Sequence, residues 1–178
     1  INKGIQRCTG DYWTWLNTDD LLQEEGFFKM AEYLRENPGT DYIYGSIDYM
    51  DEKSAFIKTY HSYTVDPDTL IKKIPGIFQQ GSFFKKKFTD GMGLLKPYNC
   101  CFDYEFVVRC LTNGARMHVC DFRVASFRYY NNSKTGSIIP VFIREQLQIS
   151  SSYGAKWFHF ITWFSKIRLL KHKLFPRK

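Results

Sequence analysis

The chain has 178 residues, 44% hydrophobic and 18% aromatic, enough apolar material for the core of about one domain, which excludes intrinsic disorder. Its formal charge of +7 is uneven: seven of the 25 Lys and Arg residues lie from Lys156 onward, where no acid occurs, leaving 18 bases against 18 acids in residues 1–155. A nucleic-acid-binding body would spread its bases over one face, so nucleic acid is not an expected partner and the excess points to an anionic partner for the tail. Cys8, Cys100, Cys101, Cys110 and Cys120 are odd in number and contain no Cys-x-x-Cys pair. Neither a disulfide framework nor a zinc site is therefore expected, and a cytoplasmic setting is. The first residues lack the basic, apolar and small-residue succession of a signal peptide.

Along the chain, Ile1 to Cys8 reads as the last turns of a helix stopped at Gly10, and Asp11 to Leu16 as a buried aromatic strand. Phe27, Met30, Ala31 and Leu34 recur at helical spacing, predicting an amphipathic helix over 22–36, closed by Asn37-Pro38-Gly39. Residues 41–45 read as a strand, 46–60 as a strand pair around Asp51 to Ser54, and Pro67 to Lys73 as a short helix. Residues 78–86 read as a strand, Phe102 to Asn113 as a helix stopped by Gly114, and 116–120 and 122–130 as two strands. A polar loop follows over 130–137, then a helix over 140–152. Strands interleaved with helices imply an α/β class with an open mixed sheet flanked by helices.

Asp19 and Asp20 lie where the first strand runs out into a loop, the end of an open α/β sheet at which ligands bind. Adjacent carboxylates repel unless a positive charge stands beside them. A hard cation, Mg²⁺ or Mn²⁺, would relieve that repulsion and share phosphate oxygens. An Asp before a helix is equally common as a cap. Asp103 opens a helix between Phe102 and Tyr104, a setting that raises a carboxyl toward the range of a general base, although an acid there also complements the helix dipole. Asn131, Asn132, Ser133 and Lys134 could close over a diphosphate, or form a solvated turn. Gln79 and Gln80 could meet sugar hydroxyls, or be edge-strand amides facing water. His61, His118, His159 and His172 show no i, i+4 pair, so a histidine-ligated metal is not expected, and His118 reads as a strand residue. No G-x-S-x-G, P-loop or G-x-G-x-x-G pattern occurs, which disfavours serine hydrolase, P-loop and dinucleotide-binding readings.

The ordered segments INKGIQRCTGDYWTWLNTDD, DYIYGSIDYMDE, FQQGSFFKKKFTDGMG, FDYEFVVRCLTNGAR and FRYYNNSKTGS resemble the second half of a bacterial family 2 glycosyltransferase of GT-A fold. The resemblance covers residues 1–137 and implies an inverting, metal-dependent transfer of sugar from a nucleotide-sugar donor to a cell-envelope glycan or lipid-linked acceptor. It assigns the metal to Asp19 and Asp20, with Asp20 as direct ligand, and the catalytic base to Asp103. Donor contacts are expected from Asn17, Asp19, Asn132, Ser133 and Lys134, and acceptor contacts from Gln79, Gln80 and Gly81. Two positions depart from the pattern: Thr18 stands at the first acidic place of the D-x-D motif, and Phe102 replaces the first acid of the base pair. The family's N-terminal β-α units, which cradle base and ribose, have no counterpart here. A truncated chain is therefore expected, and the alternative function is an inactive remnant that binds membrane or a partner.

Residues 138–178 read as a helical tail. Trp157, Phe160, Ile161, Phe164, Ile167, Leu170 and Leu174 form a helical stripe with Lys166, Arg168 and Lys171 beside or opposite it, predicting a helix over 155–175. The apolar length is below the roughly 20 residues needed to span a bilayer. The helix is expected to lie on an anionic inner membrane face, the alternative being a helix docked on the protein's own sheet.

Overall fold

The structure, a computed structural model, describes residues 1–73, 77–129 and 139–156. These divide into two compact units.

The first unit takes in residues 1–64, 77–95 and 109–129 and is built on one sheet. Its elements are α1 (Asn2–Arg7), β1 (Tyr12–Trp13), β2 (Leu21–Leu22), α2 (Glu24–Glu36), β3 (Tyr42–Met50), β4 (Phe56–Tyr60), β5 (Ser82–Lys85), α4 (Lys86–Thr89) and β6 (Met117–Arg128). The strand order is β1-β5-β3-β6-β2, with β4 paired to β3. Only β3 and β6 run parallel; the other pairs are antiparallel. The mixed sheet expected from alternating strands and helices is present.

β3 is central, with neighbours on both sides, and eight of its nine residues are buried. Such a strand reads as a continuous apolar run rather than an alternation. Its length unites the segment expected at 41–45 with the first arm of the following hairpin, whose turn carries Ser54 at a positive φ. One face of the sheet receives Met30 and Leu34 of α2 against Ile43, Phe83, Cys120 and Val124. Elsewhere in the unit the rings of Tyr42, Phe84 and Trp13 stack at centroid distances of 4.9 and 5.0 Å.

Three strand expectations differ from the structure. The pair expected at 116–120 and 122–130 is the single strand β6; its register against β3 slips between Gly45 and Ile47, so extra β6 residues bulge out without ending the pairing. The strand expected over 78–86 begins as a 3₁₀ turn, Gln79–Gly81, before β5. The strand expected over 11–16 pairs only at Tyr12 and Trp13.

The second unit takes in residues 65–73, 96–108 and 139–156. It contains α3 (Pro67–Lys73), α6 (Ile139–Ser152) and most of α5 (Phe102–Thr112), which continues into the first unit at Arg109. Within the second unit Leu70, Phe106, Val108, Ile143 and Ile149 are fully buried. The Tyr104 hydroxyl donates to the Leu70 carbonyl at 3.0 Å and lies 3.2 Å from Ser150 Oγ, which joins all three helices. α5 ends where Gly114 was expected to stop it, with φ of 82° at the glycine.

Candidate active site

The acidic pair lies on the short loop between β1 and β2. Neither Asp caps the helix that follows: the N-cap of α2 is Gln23, and no side-chain bond is made there. That alternative for Asp19 and Asp20 is thereby removed. Asp20 is buried at 4% exposure, and three donors meet its carboxylate. Asn17 Nδ2 and Gln80 Nε2 each donate to Oδ2 at 3.0 Å, and the Arg128 backbone N–H donates to Oδ1 at 3.0 Å. Asp19 is half-buried.

Gln79 and Gln80 are buried, so the reading of edge amides facing water is corrected. The 3₁₀ turn aims both at the acidic segment: Gln79 Nε2 donates to the Trp15 carbonyl while Gln80 reaches Asp20. Gly81 completes that turn, and a Cβ there would stand 2.7 Å from the Gly45 carbonyl oxygen. The turn can sit this close to β3 only because residue 81 lacks a side chain.

Arg128, which the sequence reading passed over, ties the loop to the β3–β4 turn. Its Nε donates to the Asp19 carbonyl at 3.0 Å, while Nη1 donates to the Asp51 and Glu52 carbonyls and to Ser54 Oγ, each at 3.0 Å. A lone Arg at the end of a strand pattern gives no sign of such a role; its position just before the polar loop at 130–137 was the available hint. Beside this strap, Tyr49 packs against Tyr60, Phe127 and Phe78 at centroid distances of 4.3, 4.9 and 5.8 Å. Burial, aided by Tyr60, Tyr129 and Asp20, pushes the Tyr49 phenol well above its ordinary pKa, so it stays protonated.

Asp103 belongs to the second unit, in the first turn of α5. Its Oδ1 accepts the Tyr104 backbone N–H at 2.7 Å. Burial pushes its carboxyl up to about 6, against the opposing pull of the Tyr104 and Asp103 backbone N–H groups. A carboxylate with a pKa near 6 is mostly ionised at neutral pH yet basic enough to take a proton. Next to it, Glu105 is fully buried and pairs with Lys96 Nζ at 2.7 Å and with the Tyr153 hydroxyl at 2.8 Å.

The structure thus brings Asn17, Asp20, Gln79, Gln80 and Gly81 together within the first unit and places Asp103 in the second. Asn132, Ser133 and Lys134, and the tail residues Trp157, Phe160, Phe164, Lys166, Arg168 and Lys171, lie outside the described residues. Among the described residues no three His, Cys, Asp or Glu side chains cluster so as to hold a metal unaided. The carboxylates of Asp19 and Asp20 are hard oxygen donors, the ligand type that Mg²⁺ or Mn²⁺ takes.

Residues 1–104 match glycosyl transferase family 2. The chain belongs to this family. Similar proteins include the PGL/p-HBAD biosynthesis glycosyltransferases of Mycobacterium bovis and Mycobacterium tuberculosis, each 25% identical over 165 residues, which cover 88% of this chain. The chain spans 59% of the length of those relatives. Among solved structures, S. aureus TarS superposes with a TM-score of 0.59 at 13% identity, covering 99% of this chain and 31% of that one. The shorter TarS 1–349 structure gives the same score over 51% of its length. The likeness supports a GT-A-type α/β fold with an open mixed sheet.

Proposed function

We propose that the chain forms the metal and acceptor side of an inverting glycosyltransferase that moves a sugar from a nucleotide-sugar donor to a hydroxyl of a cell-envelope glycan or lipid-linked acceptor. The observation that carries the proposal is the buried Asp20 carboxylate, fixed by three donors at the end of the first strand of a family 2 chain. The acidic loop would hold Mg²⁺ or Mn²⁺, which when bound would neutralise charge on the leaving nucleoside diphosphate. Asp19, the more exposed of the two, is the direct ligand; Asp20 shapes the loop from behind. The resemblance in sequence points instead to Asp20 as the direct ligand, and the Asp19→Ala and Asp20→Ala comparison below separates the two. Gln79, Gln80 and Gly81, being buried, support that loop rather than touch the acceptor. Asn17, Asn132, Ser133 and Lys134 remain the proposed donor contacts.

Asp103 acts as base. Its carboxylate takes the proton of the acceptor hydroxyl as that oxygen bonds to the anomeric carbon on the face opposite the leaving group. The anomeric C–O bond breaks and its electron pair leaves with the diphosphate. The relatives named as glycosyltransferases of PGL/p-HBAD biosynthesis support sugar transfer as the reaction class. Among the described residues no helix is long and apolar enough to cross a membrane, and the basic tail is proposed to bind an anionic membrane surface, which co-sedimentation with vesicles of anionic lipid tests.

The test of the donor site is calorimetric titration of a panel of UDP-, GDP- and dTDP-sugars with and without Mn²⁺. One member of the panel should bind only with the cation, Asp19→Ala should abolish that dependence, and Asp20→Ala should lower affinity together with stability. Cation-independent binding that survives Asp19→Ala overturns the assignment.

A further inference from the structure

Glu145 is the only Asp or Glu side chain after Asp121, in a region otherwise rich in bases. It lies on α6 and is buried at 7% exposure. Its partners are not those surrounding bases but the turn that leads into α5. Oε1 accepts the Asn99 backbone N–H at 2.7 Å and Asn99 Nδ2 at 3.0 Å; Oε2 accepts the Cys100 and Cys101 backbone N–H groups at 2.9 and 3.0 Å. Three consecutive backbone donors and one side-chain amide thus converge on a single carboxylate two residues before Asp103. Burial opposes ionisation of Glu145, but the Asn99, Cys100 and Cys101 backbone N–H groups outweigh it and hold the carboxyl below its ordinary range.

This arrangement exceeds what docking α6 requires. A helix packs adequately through apolar residues such as Ile143 and Ile149, both fully buried, whereas a buried carboxylate with four donors specifies the path of one turn of backbone. The residues beyond that turn are secured separately. The Tyr104 hydroxyl is bound to Leu70 and Ser150, and Glu105 to Lys96 and Tyr153. The Asp103 carboxylate is met by backbone N–H groups of the first turn of α5, its own and that of Tyr104, so its direction is set by the turn before it and the helix after it.

We infer that Glu145 is a positioning residue for the base: by gathering the N–H groups of residues 99–101 it fixes the turn from which Asp103 is presented. The inference rests on the reading of Asp103 as base.

The test compares Glu145→Gln, which removes the charge and keeps one acceptor oxygen, with Glu145→Asp, which keeps the charge and loses reach. Both are measured by the ¹³C titration of the Asp103 carboxyl and by the pH profile of nucleoside diphosphate release from the supporting member of the nucleotide-sugar panel. Positioning predicts that Glu145→Asp lowers kcat about 10–100-fold with KM for the donor within about twofold. It also predicts that the Asp103 titration and the acid limb of the profile move together to lower pH, as the loosened turn admits water, with Glu145→Gln less affected. A shift in Glu145→Gln with none in Glu145→Asp would show that Glu145 acts through charge alone, and would overturn the inference. So would unchanged profiles in both. Should either variant fold poorly, Asn99→Ser removes one of the four bonds and is expected to give a smaller shift of the same sign; no shift there counts against the inference. If the Asp103 titration moves while turnover does not, the positioning geometry stands and the base assignment fails, so the two failures are distinguishable.

Discussion

The two acidic centres of this chain are held by opposite means. Asp20 is enclosed by N–H donors from Asn17, Gln80 and the Arg128 backbone, all bonded to its carboxylate oxygens. Asp103 meets only the backbone N–H groups of Tyr104 and of itself, and burial outweighs them, raising its carboxyl to about 6. The first arrangement fixes an anion in place, as a cation site would need. The second leaves a carboxylate reluctant to stay charged, as a proton acceptor needs. Two carboxylates, one in the loop just before β2 and one in the first turn of α5, are thus suited to different chemistry by their surroundings.

The largest expected effect breaks this contrast at Asp103. Asp103→Asn should lower turnover by about 10²–10⁴-fold while leaving calorimetric donor affinity unchanged; a fall in affinity of similar size would move Asp103 to the donor side. Next is Asp20→Ala, which strands the Asn17 and Gln80 amides and the Arg128 N–H in a buried site. It should cost at least about 2 kcal/mol in urea unfolding, and an unchanged midpoint would deny the loop its internal role.

A smaller effect concerns pH. The folded-state pKa of Asp103 is raised above its ordinary value. Its contribution to stability is therefore complete below about pH 4 and is lost as pH rises through about 6. Asp103→Asn should stabilise the protein by on the order of 1–2 kcal/mol above pH 7, with no difference below pH 4; thermal melts across that range check the sign. Smallest is Arg128→Met, which releases the strap between the acidic loop and the β3–β4 turn. It should cost about 1 kcal/mol and raise KM for the donor more than it lowers kcat.

What the sequence conveyed of these centres follows the range of each signal. α2, α3, α5 and α6 were legible because apolar residues repeat within a few positions and Gly114 or Pro38 punctuates them. β6 was split in two because a bulge and a chain break produce the same interruption of alternation, and only its partner β3 distinguishes them. At the site, the acid types and their order were legible; what fixes them was not. Gln80 lies 60 residues from Asp20 in the chain, and Arg128 lies 108. A hydrogen bond of that span leaves no local periodicity. Glu145 was passed over for the same reason, although its isolation among bases was visible.

The central claim is a division of labour in which Asp103 takes the acceptor proton and the acidic loop holds the donor. It is tested most directly by the pH dependence of kcat/KM for the wild-type protein beside Asp103→Asn. The account predicts an acid limb near pH 6 in the wild type, with activity falling about tenfold per unit below it, and a low, flat profile in Asp103→Asn. A limb that persists unchanged in Asp103→Asn, or wild-type turnover in that variant, would contradict it.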